Sequence, residues 1–292
     1  MKNRIGIIVD SGASLRENKL KNIEVVPLII NEVIDKKINT YNDGVDLTRE
    51  DVNKKISNKA KLSTSQSIFG ECFNLVEKML KKYDEIMVFP LSKGISGSYN
   101  TWIQVSSEFP KGKVHVFDHN DVATGTYYAM LDSYEKYLAG SSISEIDKFL
   151  LDRTNKREAV VLINDLDNLV RGGRISVVKS KIAKLLNLKV LVTFNGKLEL
   201  LDKASSISNA VEKSLKSIDK NIGFSKNGIK NIFITTNYLN TEDEAVLEYK
   251  KYIENWLDKK DINYEEIIVD CLPSVISIHT GINTIVIWIE SK

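Results

Sequence analysis

Short apolar runs alternate along this chain with longer stretches in which apolar residues recur every three or four positions. The runs read as strands of a sheet buried on both faces, and the periodic stretches read as helices. In order, the pattern predicts a strand over residues 5–9, a short helix over 15–21 and a second strand over 25–30, where Pro27 argues for an edge or a bulge. Residues 31–46 read as an excursion with a turn at Asn42-Asp43-Gly44, after which Thr48 and Asp51 form an acidic variant of a capping box for a helix to about Ser57. Residues 62–67 read as a hydroxyl-rich loop leading into a helix over 68–82, with Phe69, Phe73, Val76 and Leu80 at helical spacing. A buried strand over 86–90, a helix over 99–108, a strand over 114–118 and helices over 122–138 and 143–154 complete a parallel α/β unit.

The character changes near Arg157. A strand over 159–163, helices over 165–170 and 177–186, and a hairpin of 188–194 with 197–201 follow, with Asn195-Gly196 as a type I′ turn signal. A helix over 207–218, a strand over 231–236, a helix over 242–259 and strands over 267–269 and 284–289 close the chain. A hairpin among helices implies a mixed sheet. The expected fold class is therefore α/β in two domains: an N-terminal Rossmann-like parallel sheet with flanking helices (1–157) and a C-terminal mixed-sheet α/β domain (158–292).

Composition narrows the function without naming it. The 292 residues are 42% hydrophobic and 27% charged, with a formal net charge of +2. The lysines are scattered among acids and form no basic stripe, so nucleic acid is not an expected partner. Cys72 and Cys271 stand alone, without metal spacing, and read as thiols of a cytosolic protein. The apolar run at residues 5–9 is too short for a signal peptide or a membrane helix, and no stable membrane insertion is expected.

Candidate chemistry gathers in loops. Leu91-Ser92-Lys93-Gly94-Ile95-Ser96-Gly97-Ser98-Tyr99 lies between a strand and a helix, the arrangement that aims backbone N–H groups at an anion. It completes neither a P-loop nor a dinucleotide fingerprint, and falls one residue short of a nucleophile elbow. An anion cradle and a tight structural turn are both open on spacing alone. Asp10-Ser11 and Thr64-Ser65 lie in loops of the same unit, and open sheets bind ligands beyond the carboxyl ends of their strands. His279, with Thr280 and Gly281, precedes the last strand as a loop residue with either a site or a structural role. His115 reads as structural and His119 is open. Arg171 and Arg174 bracket two glycines, either as a guanidinium fork for an anion or as a solvated helix end.

At these residues the sequence resembles the DegV family along essentially the whole chain. The shared signatures are Val9-Asp10-Ser11, Asn42 to Asp46, Thr64-Ser65-Gln66, Leu91 to Tyr99, Arg171-Gly172-Gly173-Arg174-Ile175-Ser176 and His279-Thr280-Gly281. The resemblance implies a non-catalytic protein with no cofactor, which binds a long-chain fatty acid in a tunnel with its carboxylate at an interdomain cleft. It implies a cytoplasmic carrier for a separate ATP-dependent fatty-acid kinase whose acyl phosphate feeds phospholipid synthesis. Thr64 and Ser96 match hydroxyls that hold the carboxylate, with the Gly97 loop amide beside them, and His279 matches the histidine at the carboxylate end. Asp10, Ser11 and Thr280 match supporting positions, and Arg171 and Arg174 match the segment that meets the kinase. Ser67 stands where the family has proline, Lys93 replaces a small polar residue, and Ser277 and Asn283 replace glycines. A serine acyl hydrolase using Ser96 and His279 is the competing reading, against which stand the incomplete elbow and the want of an evident orienting carboxylate.

Overall fold

The structure is a computed structural model that describes residues 4–15, 20–163, 168–169, 172–174, 189–238 and 241–292. The helix expected over 177–186, most of that over 165–170 and the middle of that over 15–21 lie outside the described residues. The chain forms two compact units. One comprises Met1–Asp51, Ala60–Leu151 and Pro273–Val275; the other comprises Val52–Lys59, Asp152–Leu272 and Ile276–Lys292.

In the first unit, β1 (Ile5–Asp10), β2 (Ile23–Val26), β6 (Glu85–Phe89) and β7 (Val114–Val116) form a parallel sheet in the order β2-β1-β6-β7. All six residues of β1 are buried, because strand alternation sends its side chains into two cores. Ile7 and Val9 pack with Met87, Phe89 and Phe117 against α4 (Thr124–Ala139) and α5 (Ile143–Thr154). Ile8 packs with Val88 on the opposite face against α2 (Phe69–Leu80) and α3 (Ser98–Ser107), through Cys72, Val76, Met79, Trp102 and Val105. Each fully buried aliphatic side chain contributes about 1.5–3 kcal/mol, so the two-sided burial of β1 makes it the strand around which this unit is built.

The excursion expected over 31–46 contains regular structure. β3 (Ile29–Ile34), β4 (Lys37–Asn42) and β5 (Lys61–Ser65) form a three-stranded antiparallel sheet in the order β4-β3-β5. Asp35 and Lys36 both have positive φ, 48° and 65°, and form a two-residue hairpin turn that needs left-handed backbone without offering the glycine that normally signals it. Pro27 and Leu28 split the single strand expected over 25–30 into β2 and β3, which belong to different sheets. The hydroxyl-rich stretch 62–67 is a strand for most of its length: Thr64 in β5 pairs with Ile30. The capping box of α1 (Arg49–Ser57) forms as expected. The Asp51 N–H donates to Thr48 Oγ1 at 3.1 Å, and Thr48 N–H donates to Asp51 Oδ2 at 2.9 Å.

The second unit carries a six-stranded mixed sheet ordered β10-β9-β8-β13-β11-β12. Its strands are β8 (Arg157–Ile163), β9 (Lys189–Phe194), β10 (Leu198–Ala204), β11 (Ile229–Thr236), β12 (Ile268–Cys271) and β13 (Ile285–Ser291). On one face lie α6 (Ile207–Ile222) and α8 (Glu244–Asp258), with the one-turn α7 (Phe224–Asn227) between them in sequence. Val211, Leu215, Ile218 and Ile222 of α6, and Val246, Tyr249, Ile253 and Leu257 of α8, keep helical spacing and bury with Ile285, Ile287 and Ile289. Val161, Ile163, Val190, Val192, Phe233 and Trp288 alternate with that set and are buried too. The β9–β10 connection has three residues, and only Gly196 (φ 79°) is left-handed. The type I′ turn expected at Asn195-Gly196, which needs positive φ at both residues, does not form. A last helix, α9 (Ser274–Thr280), occupies the stretch read as a loop around His279.

Candidate functional site

The carboxyl end of the parallel sheet is laced together by buried polar groups. Asp10, the last residue of β1, is buried and accepts three hydrogen bonds: from Leu91 N–H at 2.8 Å, Ser98 Oγ at 2.6 Å and Trp102 Nε1 at 3.2 Å. Burial pushes its carboxyl above the usual range while these donors pull it down. Ser98 and Trp102 are one helical turn apart on α3, so the same face of the helix grips one carboxylate. Ser92 N–H donates to Asp121 O at 3.1 Å, and Ala123 N–H donates to Gly12 O at 2.9 Å. The loops after β1, β6 and β7 are thereby tied to one another. Ser11 Oγ donates to Asp43 Oδ2 at 2.7 Å and accepts the Leu28 N–H at 3.0 Å, fixing the turn after β2. Ser67 Oγ donates to Pro27 O at 2.8 Å.

On this frame sits Ser96. Its Oγ accepts the Ser98 N–H at 3.1 Å, so its proton is left to donate outward. Thr64 is half-buried on β5. Gly97, the N-cap of α3, has φ −73°, a conformation any residue adopts. A Cβ there would lie 2.0 Å from Gln66 Oε1, the end of an exposed side chain that can turn aside. Lys93 is not aimed at this loop's hydroxyls. Its ammonium pairs with Asp118 Oδ2 at 2.5 Å and lies 5.8 Å from the centre of the Tyr99 ring, and the pairing holds its pKa above the usual value. His119 is structural: its Nδ1 accepts the Asp121 N–H at 3.1 Å, which assigns the ring proton to Nε2, 2.7 Å from Pro90 O. His115 faces Glu85 at 2.9 Å.

In the second unit, His279 stands on the last turn of α9 and is 9% exposed. Burial, with the Arg174 charge as a smaller cause, lowers its pKa to about 4, so the imidazole is neutral at neutral pH. Gly172 and Arg174 lie close to this imidazole. A Cβ on Gly172 would lie 2.1 Å from His279 Nδ1, and Arg174 Nη1 donates to Gly172 O at 2.7 Å. Arg171 lies outside the described residues. Thr280 is buried, its hydroxyl 3.3 Å from Ile276 O.

The turn after His279 is held by a residue that sequence reading missed. Asn237, buried beyond the end of β11, donates from Nδ2 to Gly281 O, and its Oδ1 accepts the Thr284 N–H at 2.9 Å. Asn53 Nδ2 in turn donates to Asn237 O at 3.0 Å. Nothing local distinguishes Asn237 from a loop asparagine. Trp102 was missed for another reason: it reads as core, and its spacing from Ser98 was the available signal. Among the described residues, no group of three His, Cys, Asp or Glu is placed to hold a metal ion. Cys72 is buried and its thiol is pushed up to about 12, by burial first and by Asp10 and Glu71 second; Cys271 is half-buried, and both are free thiols.

A two-unit α/β protein thus carries neutral hydroxyl donors on a pinned loop of one unit and a neutral, buried imidazole in the other. The sequence profile of the DegV family, described as an uncharacterised protein family, matches residues 4–292, and the chain belongs to that family. It is 29% identical over 299 residues to a DegV domain-containing protein of Mycoplasma genitalium, covering 99% of this chain and 100% of that one. Among solved structures it is similar to a DegV family protein of Thermus thermophilus described by its fatty-acid binding (TM-score 0.83, 24% identity, 99% and 100% coverage). It is also similar to a DegV family protein of Eubacterium eligens loaded with heptadecanoic acid (TM-score 0.77, 21% identity, 99% and 100% coverage).

Proposed function

We propose that this chain binds a long-chain fatty acid, buries its tail in an apolar tunnel and presents its carboxylate to a separate ATP-dependent fatty-acid kinase. The acyl phosphate formed there enters phospholipid synthesis. In this reading residues 1–157 supply Thr64, Ser96 and the Gly97 amide, and residues 158–292 supply His279. Asp10, Ser11 and Thr280 support these groups, Arg171 and Arg174 serve the encounter with the kinase, and the protein is a cytoplasmic carrier without catalysis of its own. The observation that carries the reading is the Ser96 hydroxyl, which accepts a backbone N–H on a loop pinned by Asp10 and keeps its own proton to donate to a ligand. Support comes also from the fatty-acid binding described for the Thermus and Eubacterium proteins.

The donor set suits the chemistry. Hydroxyls, an amide and a neutral imidazole stabilise a carboxylate without pairing it to a full positive charge, which would depress its basicity. The Lys93 charge is already engaged by Asp118. A carboxylate held in this way keeps its power to attack a phosphoryl group. The test is a calorimetric titration of the delipidated chain with palmitate. Thr64→Ala and Ser96→Ala should each weaken binding by about 1–3 kcal/mol, as one partner of the carboxylate is lost. Wild-type affinity in both variants would remove these hydroxyls from the site.

A further inference from the structure

Between α6 and α8, wholly within the second unit, runs a groove of about 550 Å³ whose residues have no part in the fatty-acid reading. Val211, Tyr252 and Trp256 form its floor, and the exposed side chains of Lys216, Lys259 and Lys260 stand around it. Tyr252 and Trp256 are four residues apart on α8, so both rings occupy one helical face. Phe224 holds the Trp256 ring edge-to-face at 6.2 Å, and the Lys260 ammonium lies 4.9 Å from that ring's centre. Aromatic surface and positive charge are thus brought to one place. Glu212 is the one acid among the described lining residues, and its Oε1 pairs with Lys216 at 2.6 Å. Three lysines against one glutamate leave the lining with an excess of two positive charges.

From this geometry we infer that the α6–α8 groove binds a nucleoside polyphosphate, with its base on the Tyr252 and Trp256 rings and its phosphates on the three lysines. A flat ring and dense negative charge in one ligand satisfy both features of the groove, since any base stacks on an aromatic side chain and an ammonium binds phosphate as a point charge. The volume falls within the range of small-molecule sites. Ser208 to Lys216 on α6 and Tyr252 to Lys260 on α8 each span about 12 Å, the scale of such a ligand. A docked helix fits less well. It needs a row of apolar anchors along its groove, and Val211 is the one aliphatic residue in this lining.

The test is a calorimetric titration of the purified full chain with ATP, adenosine and inorganic tripolyphosphate in parallel. ATP is expected to bind more tightly than either of the other two. Trp256→Ala should weaken ATP about tenfold and leave tripolyphosphate unchanged. Lys259→Gln combined with Lys260→Gln, at two exposed positions, should weaken ATP and tripolyphosphate and leave adenosine unchanged. A second readout needs no variant: Trp102 and Trp288 are buried, so quenching of tryptophan emission by ATP reports Trp256. Absence of heat and quenching with ATP, or ATP binding that both variants leave at wild-type strength, would overturn the inference. Tripolyphosphate binding as tightly as ATP would overturn it too, because that marks an unspecific cationic patch. So would sedimentation of the chain with anionic phospholipid vesicles in the absence of ATP binding, which assigns the groove to a lipid surface.

Discussion

Burial makes His279 a stability group. Its pKa in the folded chain is about 4, below the ordinary 6.5. Between these values the unfolded chain holds the proton and the folded chain does not, so stability falls as pH drops through that window. The full difference is worth on the order of 3 kcal/mol. His279→Gln removes the titration, and its urea midpoint should therefore fall less than that of the wild type between pH 7 and pH 4.5. Asp10 and Asp43, whose carboxyls burial holds up, are common to both proteins and cancel in the comparison. Parallel loss of stability in the two proteins would show that His279 is not held neutral. Chemistry of this kind was legible as residue type, because histidine, hydroxyls and glycines announce themselves. Environment was not: Lys93 read as a departure near the site, and its partner Asp118 comes from the end of another strand.

At the scale of elements, the stretch from α9 to β13 is fixed less by its own sequence than by Asn237. One carboxamide satisfies Gly281 O and Thr284 N–H, and Thr236 Oγ1 reaches Thr284 O at 3.0 Å. Asn237→Ala leaves the buried Thr284 N–H unpaired, at about 1–3 kcal/mol, while Gly281 O keeps the Thr284 hydroxyl at 3.1 Å as a donor. Chemical denaturation should show a loss of about 1–3 kcal/mol, together with weaker fatty-acid binding as the turn after His279 loosens. A loss under about 1 kcal/mol would contradict the clasp. Elements with a strong period were legible in the chain: α5 spans the residues expected, and the buried runs of β1, β6 and β8 read as continuous apolar strands. Those that failed did so for local reasons. The β3–β4 hairpin turns on Asp35 and Lys36 in left-handed backbone, which no glycine marks. Thr64 reads as loop because β5 is polar apart from Leu62; its pairing with β3 makes it a strand. α9, seven residues long, is too short to show a period.

For the whole molecule, the α/β class and a parallel sheet followed by a mixed one were visible in the order of elements, since strand–helix alternation and a hairpin leave different patterns. The three-stranded antiparallel sheet of the first unit was not, because its strands lie on either side of α1 and pair only through tertiary contact. A carrier of the kind proposed gains most of its affinity from the tail, about 0.8 kcal/mol for each methylene withdrawn from water. For a sixteen-carbon acid that sums to roughly 11 kcal/mol before the cost of association, enough for the ligand to stay bound through purification. Native mass spectrometry of the freshly purified chain, with identification of whatever denaturation releases, tests this directly. The account predicts one long-chain fatty acid per chain; a chain of bare protein mass that also takes up no added palmitate would contradict it.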